Sequence, residues 1–183
     1  MYIELKTKQA IIDGLSHIDK TNWIKSIDNL ITGVVHDKEY RIFLDKKTGE
    51  VKVKTNLVLC EITQGNFRLI EVEQKFNNGK VTNRNIPVTG KIAEGEKPEV
   101  GMLREINEEL SIDLAYLQAE YKAGNIKFIG KSTSEVSSLM YPGTISSSLK
   151  YNYAWEMPLS MYKDQYIEED GKKVAIFKWV VKK

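Results

Sequence analysis

Arg104-Glu105-Ile106-Asn107-Glu108-Glu109 sets an arginine beside three carboxylates on one short segment. Pro98 suits the first turn of a helix, where its missing N–H costs nothing, so a helix is expected over about 98–110. At about 100° per residue, Val100, Leu103, Ile106 and Leu110 gather on one face. Glu105, Glu108 and Glu109 stand at i, i+3 and i+4 on the roughly opposite face. A like-charge pair at this spacing costs only about 0.2–0.5 kcal/mol, so an ordinary solvated helix face is one reading. The other is a site for a hard divalent cation. Mg²⁺ prefers oxygen ligands and combines one or two carboxylates with waters and substrate phosphates. Carboxylates on successive turns of one helix meet that need.

The surrounding spacing separates the two readings. Gly90 is followed by five residues, Glu96, seven more residues, and then Arg104-Glu105-Ile106-x-Glu108-Glu109-x-Ser111-Ile112. This run resembles the Nudix box: glycine, five of any, glutamate, seven of any, Arg-Glu, an aliphatic residue, any, Glu-Glu, any, glycine and an aliphatic residue. Ser111 stands where the box has its second glycine. Six charged or glycine positions match at fixed spacing, and with residue types used at roughly 6–7% each a chance match is of order one in a million.

The resemblance implies a Nudix-like α/β/α sandwich. Its mixed β-sheet would lie between the box helix and a helix near the domain end or in the extension. It implies a divalent-metal-dependent hydrolase, using Mg²⁺ or Mn²⁺, that cleaves the diphosphate linkage of a nucleoside diphosphate derivative by water attack on phosphorus. Carried over by position, Glu105, Glu108 and Glu109 hold the ions, with the Gly90 carbonyl as a further ligand. Glu96 pairs with Arg104, whose fork of donors suits a carboxylate. Glu108 is the in-box candidate for the general base, while Glu135, Glu156, Glu168 and Glu169 are candidates outside it. This reading requires Glu105 and Glu109 to face a common space and not bulk solvent. A Nudix-fold nucleotide-binding or regulatory module without turnover is the alternative. The retained carboxylates, in register with the arginine, favour the enzyme. Where glycine would take a left-handed turn cheaply, Ser111 is expected to cost about 1 kcal/mol or to shift the helix end.

The elements that must position these residues can be read along the chain. Trp23, Ile24, Ile27, Leu30, Ile31 and Val34 recur at helical spacing, with Thr21 or Asn22 as N-cap and an ending near Gly33. Strands are expected at 40–44, 51–62 and 67–76. Asn77-Asn78-Gly79 gives a tight turn into a returning strand at 80–88. After the box come a short helix in DLAYLQAEYKAG, a strand at 126–130, a serine-rich loop at 132–143 and a strand at 146–158. A hairpin turning at Asp170-Gly171 closes the chain. Residues 1–36 form a helical N-terminal extension and 37–183 the Nudix-like domain, the two expected to make one compact unit.

Composition sets the outer limits. The 183 residues are 42% hydrophobic and 28% charged, ordinary values for a globular chain that buries roughly 70% of its unfolded surface. A net charge of +2 argues against nucleic acid duplex or an anionic membrane as partner. The lysine doublets 46–47, 172–173 and 182–183 fall at expected turns or the chain end. The single cysteine, Cys60, excludes an intramolecular disulfide and a cysteine-rich zinc site. No run of about 18 apolar residues is present to span a membrane, and the start lacks a signal-like apolar core. A cytoplasmic protein is therefore expected, with a small-molecule diphosphate substrate as partner and a homodimer among the allowed states. Arg68 and Arg84 could meet phosphates, with surface ion pairs an at least equal reading, and Tyr141 sits in a candidate rim loop. Tyr151, Tyr153 and Trp155 share one strand face, where core packing accounts for them better than substrate stacking. His17 and His36 carry no ligand spacing.

Overall fold

The computed structural model describes residues 1–77, 79–171 and 173–182, so Asn78 of the expected turn, Lys172 and Lys183 lie outside the described residues. Helices and strands interleave along the whole chain, which is the α/β class read from the sequence. Every strand register described is antiparallel. The chain resolves into two compact units.

Unit 1 comprises residues 1–57, 91–96 and 132–150. Strand β1 (Tyr2–Leu5) pairs antiparallel with β2 (Tyr40–Asp45), which pairs with the first part of β3 (Val51–Gln64). Two helices accompany them. Thr7 caps α1 (Lys8–Gly14) by accepting from the Ala10 N–H. Ser26 caps α2 (Ile27–Val35) in a reciprocal box with Asn29, which satisfies two otherwise orphan donors. The N-cap expected at Thr21 or Asn22 is therefore Ser26, and the helical extension opens with a strand. Trp23 stands outside α2, its ring 5.0 Å from that of Tyr141 and its indole N–H donating to the Pro142 carbonyl at 2.9 Å. Leu5, Ile11, Leu15, Leu30, Ile31, Ile42, Val51 and Val53 pack with Tyr141 into one core. The Tyr40 ring lies so close to Gly33 that no Cβ could fit there.

Unit 2 comprises residues 58–90, 97–131 and 151–183. Strand β4 (Phe67–Phe76) is flanked on one side by β10 (Lys173–Val181), which in turn pairs with β9 (Gln165–Glu169). The end of β3 and strand β5 (Val81–Ile86) also pair with β4. Helix α3 (Pro98–Leu110) packs against α4 (Leu114–Lys122) and against β9. Cys60 is fully buried, and burial pushes its thiol far up, as suits an inert core residue. Tyr153 and Trp155 are buried as well.

Strand β6 (Val88–Ile92) pairs with β3, and β7 (Ile126–Ser137) pairs with β8 (Ile145–Glu156). The serine-rich loop expected from 132 onward is thus strand as far as Ser137. Serine is compatible with an exposed strand when a cross-strand hydroxyl answers it, and the Ser134 and Ser148 hydroxyls are 2.8 Å apart. No helix among the described residues is long and apolar enough to cross a membrane.

Candidate functional site

The carboxylates of interest converge on α3 and on one face of the β4–β10–β9 sheet, all within unit 2. The helix spans Pro98–Leu110 with proline in its first turn, as expected. It ends at Ser111, which takes the left-handed conformation at φ 53°, ψ 39°. Serine adopts here the geometry that glycine would adopt without strain. Beyond the helix, the Asn107 amide donates to the Ile112 carbonyl at 2.7 Å.

The helix is buried over a broader arc than its apolar stripe. Met102, Leu103, Ile106 and Leu110 are buried, but Val100 is 51% exposed, so the apolar face expected to include Val100 is rotated. Packing against both α4 and β9 carries burial past the apolar side chains to Glu109, which lies only about 60° around the helix from Ile106. The three carboxylates therefore do not share one solvated face. Glu109 is 7% exposed, whereas the side chains of Glu105 and Glu108 are 14% and 52% exposed. Glu105 and Glu109 are both turned away from bulk solvent.

Gly90 is required by this arrangement. A Cβ there would overlap the Cγ and Cδ of Glu105, so the glycine lets the carboxylate lie against the β6 backbone. Arg104 bridges its own helix, with Nη1 2.5 Å from Glu105 and 3.4 Å from Glu108.

The sheet contributes carboxylates that no motif marks. Between Glu71 and Glu73 the register of β4 shifts against both of its neighbours, the signature of a bulge. The extra residue puts Glu71 and Gln74 on one face, where strict alternation would put them on opposite faces. Gln74, Ala175 and Glu168 are aligned across the strands, as are Glu71, Phe177 and Tyr166. Glu71 is 3% exposed. Its Oε2 meets Arg84 Nε at 3.0 Å, and Glu168 meets Lys173 at 2.9 Å. Two oxygens in this cluster are buried without a hydrogen-bond partner, Glu71 Oε1 and Glu109 Oε2.

The electrostatics follow from that geometry. Burial pushes the Glu109 carboxyl well above the usual carboxylate range; Glu105, Glu168 and Glu71 push it the same way, and Lys173 pulls it back. Glu105 is raised by burial and by Glu108 and Glu168, against the opposing pull of Arg104. Glu71 is raised by burial and by Glu168, against Arg84, Lys173 and the amide of Gln74 beside it. Burial pulls the Lys173 ammonium down, but Glu168, Glu109 and Glu71 outweigh it and leave it raised.

The remaining sequence candidates are distributed as follows. Glu96 belongs to unit 1, where it accepts from the Ala93 N–H at 3.1 Å. Arg84 is engaged by Glu71. Arg68 keeps a buried Nε without a hydrogen-bond partner. Tyr141, expected on a rim loop, is 3% exposed in the unit 1 core. Packing against Trp23 draws it in, and it lines a cavity of about 170 Å³ with Tyr40, Lys91 and Ser138. Of the base candidates outside the helix, Glu135 is paired with Lys52 at 2.7 Å in unit 1. Glu156 and Glu169 are exposed. Only Glu168 joins the cluster. Glu71 was missed by sequence reasoning, although a lone carboxylate in the apolar run Leu69-Ile70-Glu71-Val72 was a visible signal.

The donor set is all oxygen, which fits a hard divalent cation, and the unpartnered oxygens of Glu71 and Glu109 are the kind of atoms such an ion would engage. Among the described residues, no three acidic, histidine or cysteine side chains form a ready-made cage.

No protein-family model and no curated protein matches the chain. Among solved structures it is similar to the E. coli dihydroneopterin triphosphate pyrophosphohydrolase, at 18% identity and a TM-score of 0.44, over 69% of this chain and 80% of that one. A NUDIX family hydrolase from Clostridium perfringens is 18% identical, with a TM-score of 0.40 over 69% and 80%. A C. elegans Ap4A hydrolase in a binary complex is 15% identical, with a TM-score of 0.38 over 69% and 79%. Likenesses of this size decide neither fold family nor activity.

Proposed function

We propose that the protein is a divalent-metal-dependent hydrolase of the diphosphate linkage in a nucleoside diphosphate derivative, of the Nudix type. The observation that carries this reading is the inward-facing pair Glu105 and Glu109, with Gly90 held against Glu105 and a Glu109 oxygen left unpartnered. A buried ionised carboxylate without a partner costs several kcal/mol, a cost relieved either by a bound cation or by a proton. The box-like spacing of Gly90–Ile112 supports the same reading.

Glu105, Glu108 and Glu109 would hold Mg²⁺ or Mn²⁺, with the Gly90 carbonyl alongside. The bound ion supplies charge neutralisation on the phosphates and a more acidic water. Glu108, solvent-accessible and held by Arg104, accepts the water's proton as its oxygen attacks phosphorus. The bridging P–O bond then breaks, and the leaving phosphate carries away the electron pair. Glu168 is the alternative base, since it belongs to the same cluster.

The test is Mg²⁺-dependent hydrolysis of a panel containing nucleoside triphosphates, nucleotide sugars, ADP-ribose, NADH and dinucleoside polyphosphates, with Glu109→Gln run in parallel. Turnover that collapses in the variant supports the enzyme and names its substrate class. Absence of turnover, with equal nucleotide binding by both proteins, replaces it with the binding module.

A further inference from the structure

In the unit 2 cluster each carboxylate but one is matched to a cation: Glu105 to Arg104, Glu168 to Lys173 and Glu71 to Arg84. Among the described residues no ion pair reaches Glu109, and its Oε2 is buried without a hydrogen-bond partner. The match at Glu71 is incomplete as well. Arg84 engages only Oε2; Oε1 is buried without a hydrogen bond of good geometry, with the Gln74 amide the neutral group beside the carboxylate. Among the described residues, Glu71 and Glu109 are also the only carboxylates in the buried polar set, at 3% and 7% exposure. They come from different elements, the bulge of β4 and the last turn of α3. Each belongs to the same set of interacting charges, with Glu168 and Lys173 common to both.

We infer that Glu71 is a cation ligand from outside the helix: its free oxygen and that of Glu109 form a two-carboxylate seat for a divalent cation of the Mg²⁺ or Mn²⁺ class. Two carboxylates, with the other positions left to waters and phosphate oxygens, are what Mg²⁺ ordinarily takes from a protein. Arg84 then acts on the ion through Glu71, fixing the carboxylate so that Oε1 stays free; such supporting partners commonly alter metal affinity by 10–100-fold. The β4 bulge is the backbone device that makes the seat, because strict alternation would turn Glu71 to the other face. The inference rests on the cation-binding part of the proposed function and not on the identity of the substrate.

A single proton shared between the two carboxylates is the competing explanation, and direct metal binding separates the two. Free Mn²⁺ is titrated with the full chain and followed by its electron paramagnetic resonance signal, without substrate, for native protein, Glu71→Gln, Glu109→Gln, the double variant and Glu73→Gln. Glu71→Gln and Glu109→Gln are each expected to weaken Mn²⁺ binding tenfold or more, the double variant little further, and Glu73→Gln not at all. Glu71→Asp keeps the charge and shortens the reach, so it should also bind Mn²⁺ more weakly while folding normally, should the glutamine variant fold poorly. Native-like Mn²⁺ binding by Glu71→Gln overturns the inference, and a rise in metal-free stability in that variant would then identify the shared proton. The substrate panel reports separately. Hydrolysis by the native protein with Mn²⁺ retained in Glu71→Gln removes the Glu71 seat and leaves the enzyme standing. Loss of Mn²⁺ in Glu71→Gln without native turnover does the reverse.

Discussion

In unit 1 the buried polar side chains are neutral hydroxyls with local partners. Ser138 accepts from the Tyr141 N–H, Thr144 donates to the Tyr141 carbonyl, and Ser148 meets Ser134. Most of its ion pairs, such as Arg41 with Glu4 and Lys52 with Glu135, have at least one well-exposed member, where such pairs contribute about 0–1 kcal/mol; Lys91 with Glu39 is part-buried on both sides, but there the charges match each other. In unit 2 the buried polar side chains are Glu71, Gln74 and Glu109, and two of their carboxylate oxygens have no partner. Both units have apolar cores, so burial itself does not distinguish them. The difference lies in the charge placed under cover, and it teaches that unit 2 gives up stability at a definite place. A fold sustains such a cost where a ligand relieves it.

That contrast can be broken at several points. The largest effect is expected on catalysis. Glu109→Gln should lower metal-dependent turnover by more than about 100-fold, beyond what loss of an outer partner usually costs. Gly90→Ala should follow, since its methyl group displaces Glu105; steady-state kinetics on the substrate found in the panel checks both. In unit 1 the sensitive quantity is stability. Leu30 is fully buried, and Leu30→Ala should cost about 2–5 kcal/mol in denaturant unfolding while leaving turnover per folded molecule unchanged.

A smaller effect depends on pH. Burial raises Glu109 in the folded state above its ordinary value of 4.5, so folding takes up a proton between the unfolded and folded values. The penalty for the charged form is therefore absent below the unfolded value and fully present above the raised folded one. With a chelator present, native protein and Glu109→Gln should be about equally stable in acid. As pH rises the variant should gain an advantage of about 1–3 kcal/mol, measured by unfolding at a series of pH values. A constant difference across that range would remove the buried charge as the cause. The smallest effect is expected at Ser111. Ser111→Gly relieves a left-handed serine and should add up to about 1 kcal/mol to stability without changing Mn²⁺ affinity.

The parts legible in the sequence were those that local rules determine. Pro98 and the apolar spacing fixed α3 over Pro98–Leu110, and the left-handed ending fell at the position where glycine was missing. Strands β2, β3, β4, β8 and the closing hairpin followed from alternation and turn residues. What was not legible came from tertiary partners. Packing of α3 on two neighbours buried Glu109 and exposed Val100, which no helical wheel contains. The β4 bulge turned Glu71 to the face of Glu168, breaking the period-2 pattern on which strand reading depends. Arg84 read as a phosphate contact or an ion-pair member, and the sequence did not show that Glu71 would be its partner. Tyr141 read as a rim residue because sequence cannot show Trp23 folding over it.

Strand β7 has a practical consequence of its own. Among the described residues it pairs with β8 alone, which makes it an edge strand. Phe128, Ile129 and Val136 on this strand are all about half or more exposed. An edge of this kind recruits strands from other chains unless charge interrupts it, and Lys127, Lys131 and Glu135 are the interruptions present. Neutralising Lys127 and Lys131, by substitution or by acetylation, should lower the concentration at which the protein stays dispersed.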